Sequence, residues 1–347
     1  MTLEFVQSPD IPNWARRWSA WLISLLDIAA VLAAAIVVAV AFSLAGCATE
    51  NPLPRATDQF RLEATQAKSA NSGAKATVGV KAALIKTGSQ QTRQGLTLAG
   101  GSLFEPMQMN YIALLIRHPS GDLLFDTGLG QQVDMQYQSA MPLWAKPFLR
   151  YTKLTPASTQ LQANGISTIS QIILSHAHWD HASGLGDFPD AEVSMPAEEI
   201  DFIKLGQPPT LLPSQFAHKS IKLKPLRFQN KRFGVFEQSL DWFGDESVVL
   251  VPLFGHTPGS VGLVLRTETG KRFMFVGDAI WNAKALRNGA SKPWFVRDIA
   301  DNHAGETLRS LQRILELQAS NPGLEIVPAH DASIHDQIGY FPEKWLP

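Results

Sequence analysis

Cysteine is nearly missing from this chain. One stands among 347 residues, at position 47, so no disulfide can close within the chain and a cysteine-built zinc module is excluded. An excess of one charge is missing too. Thirty Lys and Arg against 31 Asp and Glu leave a formal net charge of -1. No basic field marks a nucleic-acid partner, and no acidic tail marks a solvated, unfolded region. Internal repeats and heptads are absent, which removes solenoids and coiled coils. What is present is a 45% share of apolar residues, enough for a globular core.

That apolar content is uneven. Arg16 and Arg17 precede AWLISLLDIAAVLAAAIVVAVAFSLAG, residues 20–46, in which Asp27 is the one charge. The run is long enough to span a bilayer, and by itself reads as a transmembrane helix or a signal peptide. LAGC, residues 44–47, resembles a bacterial lipobox, and the sole cysteine sits where that motif needs it. The resemblance implies that residues 1–46 are a lipoprotein-type signal peptide and that Cys47 carries lipid. Ala48 follows the cysteine, where an aspartate would signal retention at the inner membrane. The expectation is therefore the periplasmic side of the outer membrane, with the inner membrane as the alternative. Residues 47–75, rich in Ala, Ser, Thr and Pro, read as the lipidated cysteine and a flexible tether, with a short helix possible at 58–68.

Residues 76–347 read as one domain that alternates short apolar runs with turn signals. TVGVKAALI, NYIALLIRH, LLFDTG, IILSH, SVVLVPLFGH, SVGLVLRT, RFMFVGDA and LEIVPAH have the look of strands. Two helices stand out. One covers 194–205, with Ser194 as its cap and Pro196 in its first turn. The other covers 305–319, with Leu308, Leu311, Ile314 and Leu315 on one stripe. The class is α/β or α+β. Polar ligands recur where strands end: Asp126, His176, His256, Asp278 and His330 each follow an apolar run. Strand ends and their loops are where a rigid sheet presents chemistry.

HAHWDH, residues 176–181, places His176, His178, Asp180 and His181 in one loop. Imidazole and carboxylate suit zinc and similar divalent ions. Four donors in one loop exceed what a single ion takes beside distant partners, so two ions sharing the loop is the better reading. His256 in FGHTPGS, Asp278 in FVGDA and His330 in VPAHD bring the set to seven. His118, His218, His303 and His335 read as ordinary surface or core histidines.

HAHWDH, then GHTPGS, GD and AHD, in that order and spacing, resemble the metallo-β-lactamase-fold hydrolases over nearly all of 76–347. The resemblance implies an α/β, four-layer αββα sandwich with a dinuclear site at one edge. His176, His178 and His256 would hold one metal; Asp180, His181 and His330 the other; Asp278 would bridge them. The cofactors would be two divalent ions per chain, zinc foremost. A metal-bridging hydroxide would attack the substrate, and Asp180 would be the catalytic group that passes the proton to the leaving group. Asp126 would support the site from behind the ligands, or be a simple turn residue.

Within that fold an aspartate at 278, where some β-lactamases carry cysteine, resembles lactonases and their kin. LLFDTG, SHAHWDHASGL and PAHDASIHDQIGYFPE look most like N-acyl-homoserine lactonases. The implied partners are a small-molecule lactone and, through the lipid, a membrane, with no nucleic acid. The aromatic stretch MPLWAKPFLRY, residues 141–151, could wall an acyl-chain pocket, pack in the core, or face lipid. One position departs: those lactonases typically carry a carbonyl-orienting tyrosine three residues after the bridging aspartate, and here it is Trp281. The alternatives are a β-lactam, thioester or phosphotriester hydrolase of the same fold, or a lipid-anchored metal-binding protein without turnover.

Overall fold

The computed structural model describes residues 78–347. The lipobox, the tether and the helix expected at 58–68 lie outside them. The described chain opens on a long antiparallel hairpin, β1 (Lys81–Arg93) and β2 (Pro106–His118). Successive side chains on a strand point to opposite faces. Here both faces are apolar. Ala82 and Leu84 join one buried cluster with Leu114 and Ile116, while Ala83 and Ile85 join another with Ala113 and Leu115. A sheet that is greasy on both sides must be covered on both sides.

Sheet one adds β3 (Gly121–Phe125), β4 (Thr152–Lys153), β5 (Gln171–Ile173), β6 (Glu192–Pro196) and β7 (Lys222–Leu226), in the order β4-β1-β2-β3-β5-β6-β7. From β3 through β5 and β6 to β7 the pairing is parallel. Sheet two runs β12-β11-β10-β9-β8, from β8 (Leu240–Asp241), β9 (Val248–Pro252), β10 (Val261–Arg266), β11 (Arg272–Phe275) and β12 (Leu324–Val327).

The helices are α1 (Val133–Ala140), α2 (Ala157–Ala163), α3 (Trp179–Ala182), α4 (Ala197–Leu205), α5 (Ala283–Asn288), α6 (Trp294–Ala300), α7 (Ala304–Ser320) and α8 (Ala332–Ile338). Leu250, Leu263, Phe273 and Phe275 of sheet two meet Leu84, Leu114 and Phe125 of sheet one in the central core. Val251, Val264 and Met274 face the other way, onto Leu311, Ile314 and Leu317 of α7. Leu161 of α2 and Ile200 of α4 cover the outer face of sheet one. The layers are α, β, β, α. Each large aliphatic or aromatic side chain buried there contributes about 1.5–3 kcal/mol relative to exposure.

Most expected strands are present but end two or three residues before their ligands. β5 stops at Ile173 and β11 at Phe275, leaving turns to carry His176 and Asp278. Other boundaries differ more, among them the start of β2, which is Pro106 instead of Asn110. The first strand runs 81–93 instead of 77–85, because its partner is the whole length of β2. The helix expected from Ser194 starts at Ala197: residues 192–196 pair with β7 from Lys222 to Leu226 instead. Tertiary pairing outweighs a local cap signal there, and Pro196, extended at ψ 152°, is the cap residue. The helix expected at 305–319 spans Ala304–Ser320, with the His303 side chain accepting from the Glu306 N–H.

Candidate metal centre

After β5 the chain bends at Ser175 and is extended at His178, which caps α3 at φ -67° and ψ 154°. The single helical turn of α3 then carries Asp180 and His181. This break in conformation lets four neighbouring ligand types converge, which an unbroken strand would forbid. His256 follows β9 through Gly255, at φ +129°. A Cβ on that glycine would stand 2.1 Å from the Thr307 nitrogen of α7, so only glycine lets this turn press on the helix. Asp278 lies in the turn after β11, and His330 follows β12.

The structure brings all seven together. His176, His178, His256 and Asp278 each offer a ligand atom within 4.8 Å of the others, and Asp180, His181 and His330 form a second such group. The Asp278 carboxylate lies between them. Its Oδ2 is 3.3 Å from His256 Nε2 and 3.9 Å from His176 Nε2. Its Oδ1 is 3.3 Å from His181 Nε2 and 3.0 Å from His330 Nε2. Asp180 Oδ2 stands 3.4 Å from His330 Nε2 and 3.7 Å from His181 Nε2.

Behind the ligands, partners fix the tautomers. His181 Nδ1 is 2.8 Å from Asp126 Oδ2, and His330 Nδ1 is 3.1 Å from the Asn110 carbonyl. His256 Nδ1 is 2.7 Å from Asp301 Oδ1. Ser175 Oγ donates to Asp126 Oδ2 at 2.7 Å, so the His176 Nδ1 that lies 3.0 Å from that hydroxyl is itself the donor. Carboxylates and carbonyls only accept, so all four Nδ1 atoms carry the proton and all four Nε2 lone pairs point inward. His176, His181 and His256 Nε2 and Asp278 Oδ1 have no hydrogen-bond partner within the protein. A buried, unsatisfied polar atom costs about 1–3 kcal/mol. Four electron-rich atoms converging without donors fit divalent cations at their centre, and partners of this kind orient metal ligands generally.

Asp126 sits just past β3 at φ 60° and accepts from the Ser175 N–H at 2.6 Å as well as from Ser175 Oγ and His181. Trp281 donates its indole N–H to Asp278 Oδ2 at 2.7 Å. Its ring lies edge-on to His330 at 6.3 Å.

Several contributors escape sequence reasoning. The buried Lys292 ammonium reaches Asp301 Oδ1 at 2.8 Å and the Asp278 carbonyl at 2.7 Å. Glu199 of α4 is fully buried and accepts from the Ala177 N–H at 2.6 Å and the Gly259 N–H at 2.9 Å, tying the two ligand loops together. Tyr111 lies 5.6 Å from His330, and its hydroxyl donates to Gln90. No local motif marks Lys292, Asp301 or Glu199. The one available signal was a polar residue amid an apolar helix stripe, at 199.

Burial and the neighbouring histidines hold His176 and His178 well below the usual imidazole range. Burial also opposes charge on His181 and His330, but Asp126, Asp180 and Asp278 outweigh it, and both are raised. Burial would raise Asp278; His330 and His181 outweigh it and hold the carboxyl well below its ordinary value. Asp301 is likewise lowered, with Lys292 overriding burial.

The family model for the metallo-beta-lactamase superfamily matches residues 112–330, from β2 to the last of the seven donors. The chain belongs to the metallo-β-lactamase superfamily and is a hydrolase of that group. It is 29% identical over 237 residues to the probable metallo-hydrolase Rv2300c of Mycobacterium tuberculosis, covering 64% of this chain and 74% of that protein. It is 26% identical over 229 residues to the N-acyl homoserine lactonase AttM of Azorhizobium caulinodans, covering 62% of this chain and 80% of that protein. A solved N-acyl homoserine lactone hydrolase, with the product N-hexanoyl-L-homoserine at its catalytic metal center, superposes with a TM-score of 0.60. That match, at 18% identity, covers 77% of this chain and 99% of the other and shows the shared fold.

Proposed function

We propose that this chain opens lactone rings, N-acyl-homoserine lactones first among them, with two divalent ions at the cluster. The observation that carries the reading is the Asp278 carboxylate, whose two oxygens face two different groups of donors. Seven donors exceed the needs of one tetrahedral ion. Imidazole and carboxylate without thiolate favour zinc. Ions held there supply a Lewis acid for the ester carbonyl and bring the pKa of bound water down to around 7.

The chain's own residues supply the rest. Asp180 is the one ligand of the seven that is not fully buried, its side chain 12% exposed, so it faces the side from which substrate arrives. One of its oxygens stands toward His330, which leaves the other to take a proton and deliver it to the leaving alkoxide. Trp281 spends its N–H on Asp278, so it orients that carboxylate and offers its ring as an apolar wall. It does not take over the carbonyl-orienting part of the tyrosine it replaces. The lactonase relatives and the product-bound solved hydrolase support a lactone substrate. LAGC at the end of the apolar run supports lipidation at Cys47 and a periplasmic place on the outer membrane.

The test is turnover by the metal-loaded full chain on acyl-homoserine lactones, β-lactams, thioesters and phosphotriesters. Lactones are expected to show the highest kcat/KM. Turnover of another class with lactones untouched would replace the lactone reading.

A further inference from the structure

Among the described residues, the exposed large apolar side chains all fall in four segments: the β1–β2 hairpin, residues 133–154, α4 and α6. Phe104 at the hairpin tip is 90% exposed, and Leu143, Trp144 and Phe148 are 63%, 45% and 49% exposed. Such side chains gather on a surface when something apolar covers it.

All four segments border the metal cluster. Tyr137 and Tyr151 pack on Trp179, at ring distances of 5.8 and 5.5 Å, and Trp179 sits inside the ligand motif between His178 and Asp180. The Phe148 carbonyl accepts from Gln90, which accepts from the hydroxyl of Tyr111, whose ring lies 5.6 Å from that of His330. The Ala99 N–H of the hairpin donates to the Ser291 carbonyl at 2.8 Å, and Ser291 precedes Lys292. The Phe202 ring of α4 lies 6.2 Å from His178, three residues before exposed Leu205. The Asp301 that ends α6 holds His256. The exposed apolar side chains are thus carried by segments that rim the site.

We infer that this rim rests on an anionic lipid bilayer, so that the site takes long-chain, lipophilic substrate from the membrane. The inference deepens the lactone reading and rests on the cluster being the reaction centre. Three observations favour lipid as the occupant. Trp144 and Phe148 alternate with Lys146 and Arg150, and residues 141–154 contain no acidic side chain, Lys153 being paired with Asp134. Aromatic rings with basic neighbours suit the headgroup boundary of anionic lipid. The chain preceding the described residues contains an apolar run at 20–46, ending beside Cys47, which would tie the chain to a bilayer either as a transmembrane helix or, with LAGC, as a lipoprotein signal. The chain from Cys47 to Val78 could span at most about 100 Å at about 3.3 Å per residue, enough for the described domain to reach that bilayer. Tethering of this kind raises the local concentration of lipid enough for weak surface contacts to be occupied.

The experiment places nitroxide labels, one at a time, at Phe104→Cys, Trp144→Cys and, on the far face of α7, Gln312→Cys in the full chain. The chain carrying only Cys47 supplies the background. Each is reconstituted into vesicles of phosphatidylethanolamine and phosphatidylglycerol, and collision with oxygen is compared with collision with a nickel chelate. Labels at 104 and 144 are expected to favour oxygen severalfold over the chelate, while the label at 312 favours the chelate. Labels at 104 and 144 that behave like 312 would overturn the inference. So would labels shielded from both reagents, the signature of a second copy on the rim. Position 104 is open enough that its substitution does not threaten folding. The readout needs no turnover, so lactone hydrolysis without lipid contact sinks the docking alone, and lipid contact without lactone hydrolysis sinks the lactone reading alone.

Discussion

On one side of Asp278 stand three imidazoles, those of His176, His178 and His256. On the other stand two imidazoles and a carboxylate, those of His181, His330 and Asp180. The first side is shut in by protein and backed by Ser175 and by the Lys292–Asp301 ion pair. Burial and mutual repulsion keep His176 and His178 neutral. The second side is rich in negative charge. Asp126, Asp180 and Asp278 draw protons onto His181 and His330 against the cost of burial. The first side thus favours neutral rings at His176 and His178, while the second favours the proton on His181 and His330. Two groups with the same ligand vocabulary therefore differ in what an arriving cation must displace.

The largest effect should come from erasing the shared group. Asp278→Ala removes an oxygen from both sides, and its loss of metal affinity should exceed the roughly 100-fold seen at the top end for partners behind ligands. Metal content after gel filtration is expected to fall below one ion per chain, with no measurable hydrolysis. Retention of a full complement would show that Asp278 joins nothing.

Asp126→Asn and Asp301→Asn sharpen the contrast by loosening one side each. Each is expected to weaken metal binding about 10–100-fold on its own side only. With cobalt as reporter, the two variants should lose different parts of the visible spectrum. Identical spectra and affinities would mean the two sides act as one unit.

Acid should separate the sides next. Metal binding requires neutral imidazole, so affinity falls as a histidine gains its proton. The raised pKa values of His181 and His330 mean that those rings are already taking protons at a pH where His176 and His178 are not. As pH falls toward about 6.5, the ordinary imidazole value, the second-side ion should leave first, with the first-side ion following only below it. Titration against a chelator should show a plateau near one ion per chain. Simultaneous loss of both ions would contradict the asymmetry.

The smallest effect is expected at Trp281. Trp281→Phe deletes the N–H that holds Asp278 Oδ2. Ions at the same carboxylate share its charge, so the hydrogen bond is worth about 1 kcal/mol, a few-fold in metal affinity or turnover. A much larger loss would mean that the indole touches the reacting substrate.

The ligands were legible because each metal donor sits in a short segment at the end of an apolar run, and HAHWDH is dense enough to stand out unaided. Asp126 was legible for the same reason, since it directly follows β3. Lys292 and Asp301 were not. They meet His256 from either end of α6, and their pairing exists only once α6 lies across the turn after β9. Glu199 looked like one acid among several on a helix, and only the packing of α4 against two loops makes it a clamp. Short edge elements were equally hidden. β7 reads KLKPL, with alternating lysines and a proline, and it is a strand because β6 offers it a parallel partner. Trp281 was visible as a departure from the lactonase pattern, but its bond to the bridging carboxylate depends on the turn geometry at Asp278.

The most direct measurement is the metal-to-protein ratio of the metal-replete full chain by plasma mass spectrometry, beside that of Asp278→Ala. Two ions per chain are expected, with fewer than one in the variant. A ratio fixed at one under saturating metal, or one that Asp278→Ala leaves unchanged, would contradict a centre divided by a shared carboxylate.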